Sequence, residues 1–237
     1  EIEKIIEVCR ANNIEITGSV FMKTAEEIEK IIEVCRANNI ELSGNVFKRT
    51  SEEIEKIIEV CQANNIEITG SVFMKTSEEI KKIIEVCRTH NIEITGSVFL
   101  KTAEEIEKII EVCRANNIEI TGSVFLKKSK DLIESIEYIK SNYGQKYLKP
   151  LIINKNVKYL MQVFPYLREL NVLEVVINSA SILTLKLEEI QERKSILDMK
   201  ELSMVDERGK FDSIFGLSRK KYNELKNHML GNKAFNK

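Results

Sequence analysis

From Thr50 to Asn65 the chain reads TSEEIEKIIEVCQANN, with apolar residues at Ile54, Ile57, Ile58 and Cys61 and Val60 widening the stripe. The spacing i, i+3, i+4, i+7 places them on one face of an α-helix. Thr50 stands three residues before Glu53, a capping box in which hydroxyl and carboxylate each satisfy an orphan backbone N–H. Glu52, Glu53 and Glu55 crowd the first turn and Arg or Gln falls near the end, as the helix dipole favours. Asn64-Asn65 tolerates the left-handed conformation that closes a helix. Residues 1–26, 27–52, 53–78, 79–104 and 105–130 are five copies of one pattern at a period of 26. A fixed period of this size marks a repeat array. Each copy carries an apolar face that it cannot bury alone, so the copies must stack.

The second half of each copy, Ile66–Lys75 in the third, admits two readings. Read as a helix, Thr69 is the N-cap and Ser71–Lys75 a short second helix carrying Val72 and Phe73 inward. Each copy is then a helical hairpin, and the fold is all-α, an α-solenoid. Read as a strand, Ile66–Thr69 alternates, and the alternative is a β/α solenoid of leucine-rich-repeat type. Gly70 and Ser71 interrupt the alternation and Val72-Phe73-Met74 is an unbroken apolar run, so the helical reading is preferred. Copies differ at Gln62, Thr89-His90, Asn45 and Lys48, by drift after duplication or by tuning of each unit's contact. Ser19, Asn45, Ser71, Ser97 and Ser123 would start the second helices, where backbone N–H groups could meet an anion. Arg10, Arg36, Arg88 and Arg114 recur in register on the repeat surface.

Past the fifth copy, Lys127-Lys128-Ser129-Lys130 breaks the pattern where the capping Thr should stand. Residues 131–142 keep the stripe at Leu132, Ile136 and Ile139 as a divergent sixth unit, closed by Tyr143-Gly144. Asn154–Phe164 reads as a helix ended by Pro165, followed by 166–171 and 172–177. Leu185–Leu197 reads as a helix with Leu187, Ile190 and Leu197 inward. The organisation expected is thus an array over 1–130 and a C-terminal capping domain over 131–237. Within it, VFPYLRELNVLEVVINSASILTLKLEEIQERKSIL (Val163–Leu197) resembles the helical repeats of the mitochondrial transcription termination factor (mTERF) family. That resemblance implies an α-solenoid whose concave, basic side holds double-stranded nucleic acid. Phe215–Lys226 looks like the turn and recognition helix of a helix-turn-helix, with Ser218 as N-cap and Tyr222 and Leu225 inward. Arg219, Lys220 and Lys221 on its first turn could meet base edges. Lys226, Lys210, Lys127 and Lys128 could meet phosphates. The competing reading is a plain amphipathic helix, because Val205–Ile214 contains Gly209 and is a poor upstream helix.

Charge changes the picture more than bulk composition does. The net charge is −1, but residues 1–130 hold 18 Lys+Arg against 23 Asp+Glu, while 131–237 hold 18 against 14. An acidic array does not attract phosphate along its whole length, whereas a basic C-terminal half can. Cys9, Cys35, Cys61, Cys87 and Cys113 occupy one repeat position, on the apolar stripe and too far apart for metal-site spacing. Unpaired thiols of this kind suit a reducing compartment, so cytoplasmic localisation is expected. There is no run of about 18 apolar residues, so no membrane span is expected. The chain opens at Glu1 within a helical pattern and without Met, which reads as a trimmed fragment that upstream repeats could precede. No phosphate loop, GxSxG, HExxH or CxxC occurs, and His90 and His228 have no neighbouring nucleophile. The sequence therefore points to a non-catalytic protein without cofactor, metal or small-molecule substrate. It would bind along an extended surface, with nucleic acid as the leading ligand, contacted through the basic C-terminal segment, and a protein-interaction scaffold as the alternative.

Overall fold

Helix α1 (Ile2–Ala11), α2 (Ala25–Ala37), α3 (Ser51–Ala63), α4 (Ser77–Thr89) and α5 (Ala103–Ala115) are the first halves of the five repeats. In this computed structural model the described residues are 1–178, 180–199, 202–205 and 210–231. They contain no strand, only an isolated antiparallel bridge between Val205 and Phe211. The chain forms two compact units, Glu1–Ser129 and Lys130–Lys237.

Each repeat helix is cut to length by its caps. Thr50, Thr76 and Thr102 form full capping boxes with Glu53, Glu79 and Glu105. Thr24 accepts from Glu27 N–H, but the Glu27 carboxylate turns instead to the next repeat and accepts from Ser51 N–H at 2.7 Å. Glu1 does the same to Ala25 N–H at 2.9 Å. At the other end the two asparagines divide the labour. The first returns its amide to the helix, as in Asn64 Nδ2 to the Val60 carbonyl at 2.7 Å. The second turns left-handed: Asn13, Asn39, Asn65, Asn91 and Asn117 have φ between 49° and 54°. The following isoleucine then donates to the carbonyl five residues back, for example Ile66 to Cys61 at 2.9 Å. This is a Schellman closure with Asn in the place Gly usually takes.

The short second helix of each hairpin forms as a single 3-10 turn. After a run without regular secondary structure, Ile-Glu-Ile-Thr in four copies and Ile-Glu-Leu-Ser in the second, each repeat makes one 3-10 turn: Val20–Met22, Val46–Lys48, Val72–Met74, Val98–Leu100 and Gly122–Leu126. Thr69 caps nothing with its side chain; its carbonyl accepts from Val72 N–H at 3.1 Å, and Ser71 stands at the head of the turn. The reason lies in spacing. Lys75 must already be extended so that Thr76 can cap α4, which leaves room for one turn. That turn still explains the apolar run, since Val72 and Phe73 point inward and Met74 outward. The strand alternative finds no support, because the extended runs have no ladder partner among the described residues.

Successive helices pack α1 on α2 through α4 on α5, and the turns stack from Val46–Lys48 through Gly122–Leu126. The first unit is therefore an α-solenoid of helix-plus-turn repeats. Its core is Ile28, Ile31, Ile32, Cys35, Val46 and Phe47, repeated with each copy.

The C-terminal unit contains α6 (Ser129–Asn142), α7 (Pro150–Ile153), α8 (Val157–Glu169), α9 (Leu173–Asn178), α10 (Leu187–Met199) and α11 (Arg219–Gly231). Gly144, at φ 95°, closes α6 by donating to Ile139 at 3.0 Å. Pro165 does not break the chain: α8 runs through it. The N–H that proline lacks would have met the Met161 carbonyl; both residues are exposed, so water can serve that group. Leu160, Val163, Phe164 and Leu167 on the buried face hold the helix together. Leu187 is only half-buried, while Ile190 and Leu197 are inward.

Candidate binding surfaces

Three regions collect the polar chemistry. The first is the row of grooves between successive helices of the array. Between α1 and α2 a groove of about 480 Å³ is lined by Asn12, Glu29, Ile32, Glu33, Arg36 and Ala37. Two repeats on, between α3 and α4, one of about 310 Å³ is lined by the equivalent residues Asn64, Lys81, Ile84, Glu85, Arg88 and Thr89. Further grooves of about 470 Å³ and 180 Å³ lie at the α2–α3 and α4–α5 seams. The linings are mixed in charge, because each helix carries several Glu together with one or two Lys. Hydrogen bonds within the chain occupy part of them. Arg36 donates to Asn12 Oδ1 at 2.8 Å, Arg114 reaches His90 Nδ1 at 2.9 Å and its carbonyl at 3.0 Å, and Lys30 pairs with Glu26. Arg10 and Arg88 are exposed. At the helix starts, backbone N–H groups hold the carboxyls of Glu52, Glu78 and Glu104 below the usual range, so this edge stays anionic.

The second region is the loop edge. Ser19, Ser71 and Ser97 head their 3-10 turns and Ser123 lies inside the fifth; each hydroxyl is 2.8 to 2.9 Å from that of the Thr two residues before, and Ser19 also donates to the Gly44 carbonyl at 3.0 Å. Asn45 accepts from Lys48 Nζ at 2.8 Å. The turns of the first four repeats are three residues long, too short to present the run of N–H groups with which a helix start meets an anion.

The third is the C-terminal unit. Arg219 opens α11, but its guanidinium pairs with Glu189 at 2.8 Å and Lys226 pairs with Glu192, both on α10. Lys220 and Lys221 are exposed, as is Lys128, and Lys127 is half-buried. Ser218 accepts from Lys221 N–H at 3.4 Å, as an N-cap should. Tyr222 is buried but Leu225 is exposed, not inward. The segment before α11 is the Val205–Phe211 bridge and a 3-10 turn, Ser213–Gly216, and 206–209 lie outside the described residues. Among the described residues of this segment no α-helix stands directly before the turn, which is the element a helix-turn-helix requires. The side chain of His228 also lies outside the described residues.

Sequence reasoning passed over two features here. Arg193 on α10 is 2% exposed. It donates to the Ile214 carbonyl and, at 3.1 Å, to that of Leu217, with its guanidinium 4.5 Å from the Tyr222 ring centroid. Nothing in an amphipathic pattern distinguishes an inward Arg from a solvated one. The other is a cleft of about 300 Å³ walled by Tyr143, Tyr147, Arg168, Lys146 and Glu174. Lys146 and the Tyr147 hydroxyl both bond Glu174, drawing its carboxyl below the usual range. The clue available was the dense run of aromatic and basic residues in Tyr143–Lys149.

The five thiols are buried and unpaired, and burial pushes Cys35, Cys61, Cys87 and Cys113 up to about 11. Among the described residues no group of three or more His, Cys, Asp or Glu is placed to hold a metal, and no helix is long and apolar enough to cross a membrane. Fold and surface define the array as a helical-repeat solenoid. Compared with protein-family models, curated proteins and solved structures, the chain gives no match.

Proposed function

We propose that this chain is a non-catalytic helical-repeat protein that binds a protein partner along the helix ridges of the array. The observation that carries the reading is the recurrence of equivalent grooves, Glu33 with Arg36 and Glu85 with Arg88, at multiples of the repeat. A surface that repeats its polar lining suits an extended segment with a matching period of charge and amide groups. Its acidic balance, 18 Lys+Arg against 23 Asp+Glu, favours a basic segment and repels a phosphate backbone. Panning a randomised peptide display library on the protein should enrich basic, extended sequences. Glu33→Lys with Glu85→Lys should weaken their binding by about tenfold or more. Failure to enrich any peptide would remove the reading.

A second reading, nucleic-acid binding by the C-terminal unit, is supported by Lys220 and Lys221, exposed on the first turn of α11. The mTERF-like stretch Val163–Leu197 supports it as well. Fluorescence anisotropy with random duplex and single-stranded DNA and RNA tests it. Affinity that falls steeply with salt, and falls again in Lys220→Ala with Lys221→Ala, would favour this reading over the first.

A further inference from the structure

Helix α11 turns a charged stripe toward α10 where a packed helix ordinarily turns an apolar one. Arg219, Tyr222 and Lys226 are spaced i, i+3, i+7 and so share one face. Opposite them on α10 stand Glu189, Arg193 and Glu192. Arg219 meets Glu189 at 2.8 Å, the Tyr222 ring centroid lies 4.5 Å from the Arg193 guanidinium, and Lys226 meets Glu192. Most helices are held by apolar contact along such a face. From 219 to 227 only Tyr222 is buried, and Leu225 is 37% exposed. Even this anchor is incomplete: Arg193 Nε and the Tyr222 hydroxyl are buried with no hydrogen-bond partner among the described residues.

One of the two acids is placed independently of α11. Glu189 Oε2 accepts from the Lys186 N–H at 3.1 Å, which fixes the carboxylate whose other oxygen receives Arg219. The Lys186 N–H and then the guanidinium keep the Glu189 carboxyl below the usual range. The cations remain within reach of solvent, since the Arg219 side chain is 74% exposed and that of Lys226 34%. Exposed pairs of this kind are weak, so a phosphate oxygen competes with the carboxylate on equal terms. Lys220 and Lys221 complete the first turn and are exposed. The helix thus carries two open cations and two covered by carboxylates.

We propose that Glu189 and Glu192 are an intramolecular competitor for a phosphate backbone: they hold two of the four cations that α11 offers it, and binding proceeds by exchange of carboxylate for phosphate. The proposal rests on the second reading above, nucleic-acid binding by the C-terminal unit, and adds what restrains it. A phosphate chain is the class of ligand that fits, because it gains from every cation it reaches, whereas a single phosphate cannot replace both carboxylates.

The test follows binding of random duplex and single-stranded DNA and RNA to the full chain by fluorescence anisotropy across a salt series. Glu189→Gln with Glu192→Gln keeps side-chain shape and an acceptor for the Lys186 N–H, and frees both cations. Affinity should rise by about fivefold or more, and the slope of log K against log salt should steepen by roughly 1 to 2, at about 0.9 per added phosphate contact. Arg219→Ala with Lys226→Ala should lower affinity by less than about twofold in the unaltered chain and should cancel the gain in the freed one. Glu134→Gln with Glu137→Gln, exposed on α6, removes the same charge and should change affinity by less than about twofold. Unchanged affinity in the Glu189 and Glu192 variant would overturn the proposal. So would a gain that survives loss of Arg219 and Lys226, or an equal gain from the α6 variant. In each of these cases the second reading stands if Lys220→Ala with Lys221→Ala weakens binding. No binding by either the unaltered or the freed chain would remove both.

Discussion

The array and the C-terminal unit solve the same problem, burying a helix face, in opposite ways. In the array each seam repeats the last: Ile, Ile, Ile, Cys from a helix and Val, Phe from a turn, with no side chain larger than Phe in the core. In the C-terminal unit no contact is repeated. Tyr143, Tyr147 and Phe164 pack edge to face, Tyr159 donates to the Leu185 carbonyl at 2.7 Å, and one buried arginine ties α10 to the turn before α11. Stability in a repeat array is close to a sum of like terms, so each seam shares the load with its neighbours. In the irregular unit it is concentrated in a few groups without substitutes.

The largest effect that would break or sharpen this contrast comes from truncating equivalent phenylalanines. Phe73→Ala should cost about 3–5 kcal/mol in chemical denaturation, whereas Phe21→Ala, at an uncovered position, should cost less than about 1 kcal/mol. Equal costs would mean that the seam is not what holds the array. Next comes Arg193→Ala, expected to destabilise the C-terminal unit by about 3 kcal/mol, since it strands one buried and one part-buried carbonyl and removes the charge over Tyr222. The array's transition should not move, and a shift there would show that the units do not unfold independently. A smaller change, about 1 kcal/mol, is expected for Thr76→Ala, which removes one capping box among several; thermal unfolding followed by circular dichroism reads it.

The smallest effect at neutral pH, nil, belongs to the thiols. Burial favours the neutral thiol, so the native pKa of Cys35, Cys61, Cys87 and Cys113 is pushed up to about 11, above the ordinary thiol value. Their contribution is therefore intact below about pH 9 and is lost as pH rises toward 11, where unfolded thiols ionise first. A thiol reagent at pH 8 should label them only as fast as the array opens. Rapid labelling without unfolding would contradict their burial.

Legibility followed the same division. The array's helices, their capping boxes and the asparagine closure could be read from residues 1–130 because every signal is local in sequence and stated five times. The brevity of the second element could not, since it depends on Lys75 and Thr76 being claimed by the next helix rather than on the propensity of Val72–Met74 itself. In the C-terminal unit, Pro165 signals a helix end locally, yet packing of Phe164 and Leu167 overrides it. The candidate basic turn was legible as residue type, but not as availability, because Glu189 and Glu192 lie 30 and 34 residues away from Arg219 and Lys226.

By itself, then, the sequence determined the period, the helix that fills half of it and the residues that cap that helix, because hydrogen bonds within about five residues settle those. Only the tertiary structure decided that the second half is a single turn, that Arg193 lies inside, that two of the basic side chains on α11 are already paired, and that Ile2 and Phe21 stand uncovered. Burial and charge pairing are set by neighbours distant in the chain.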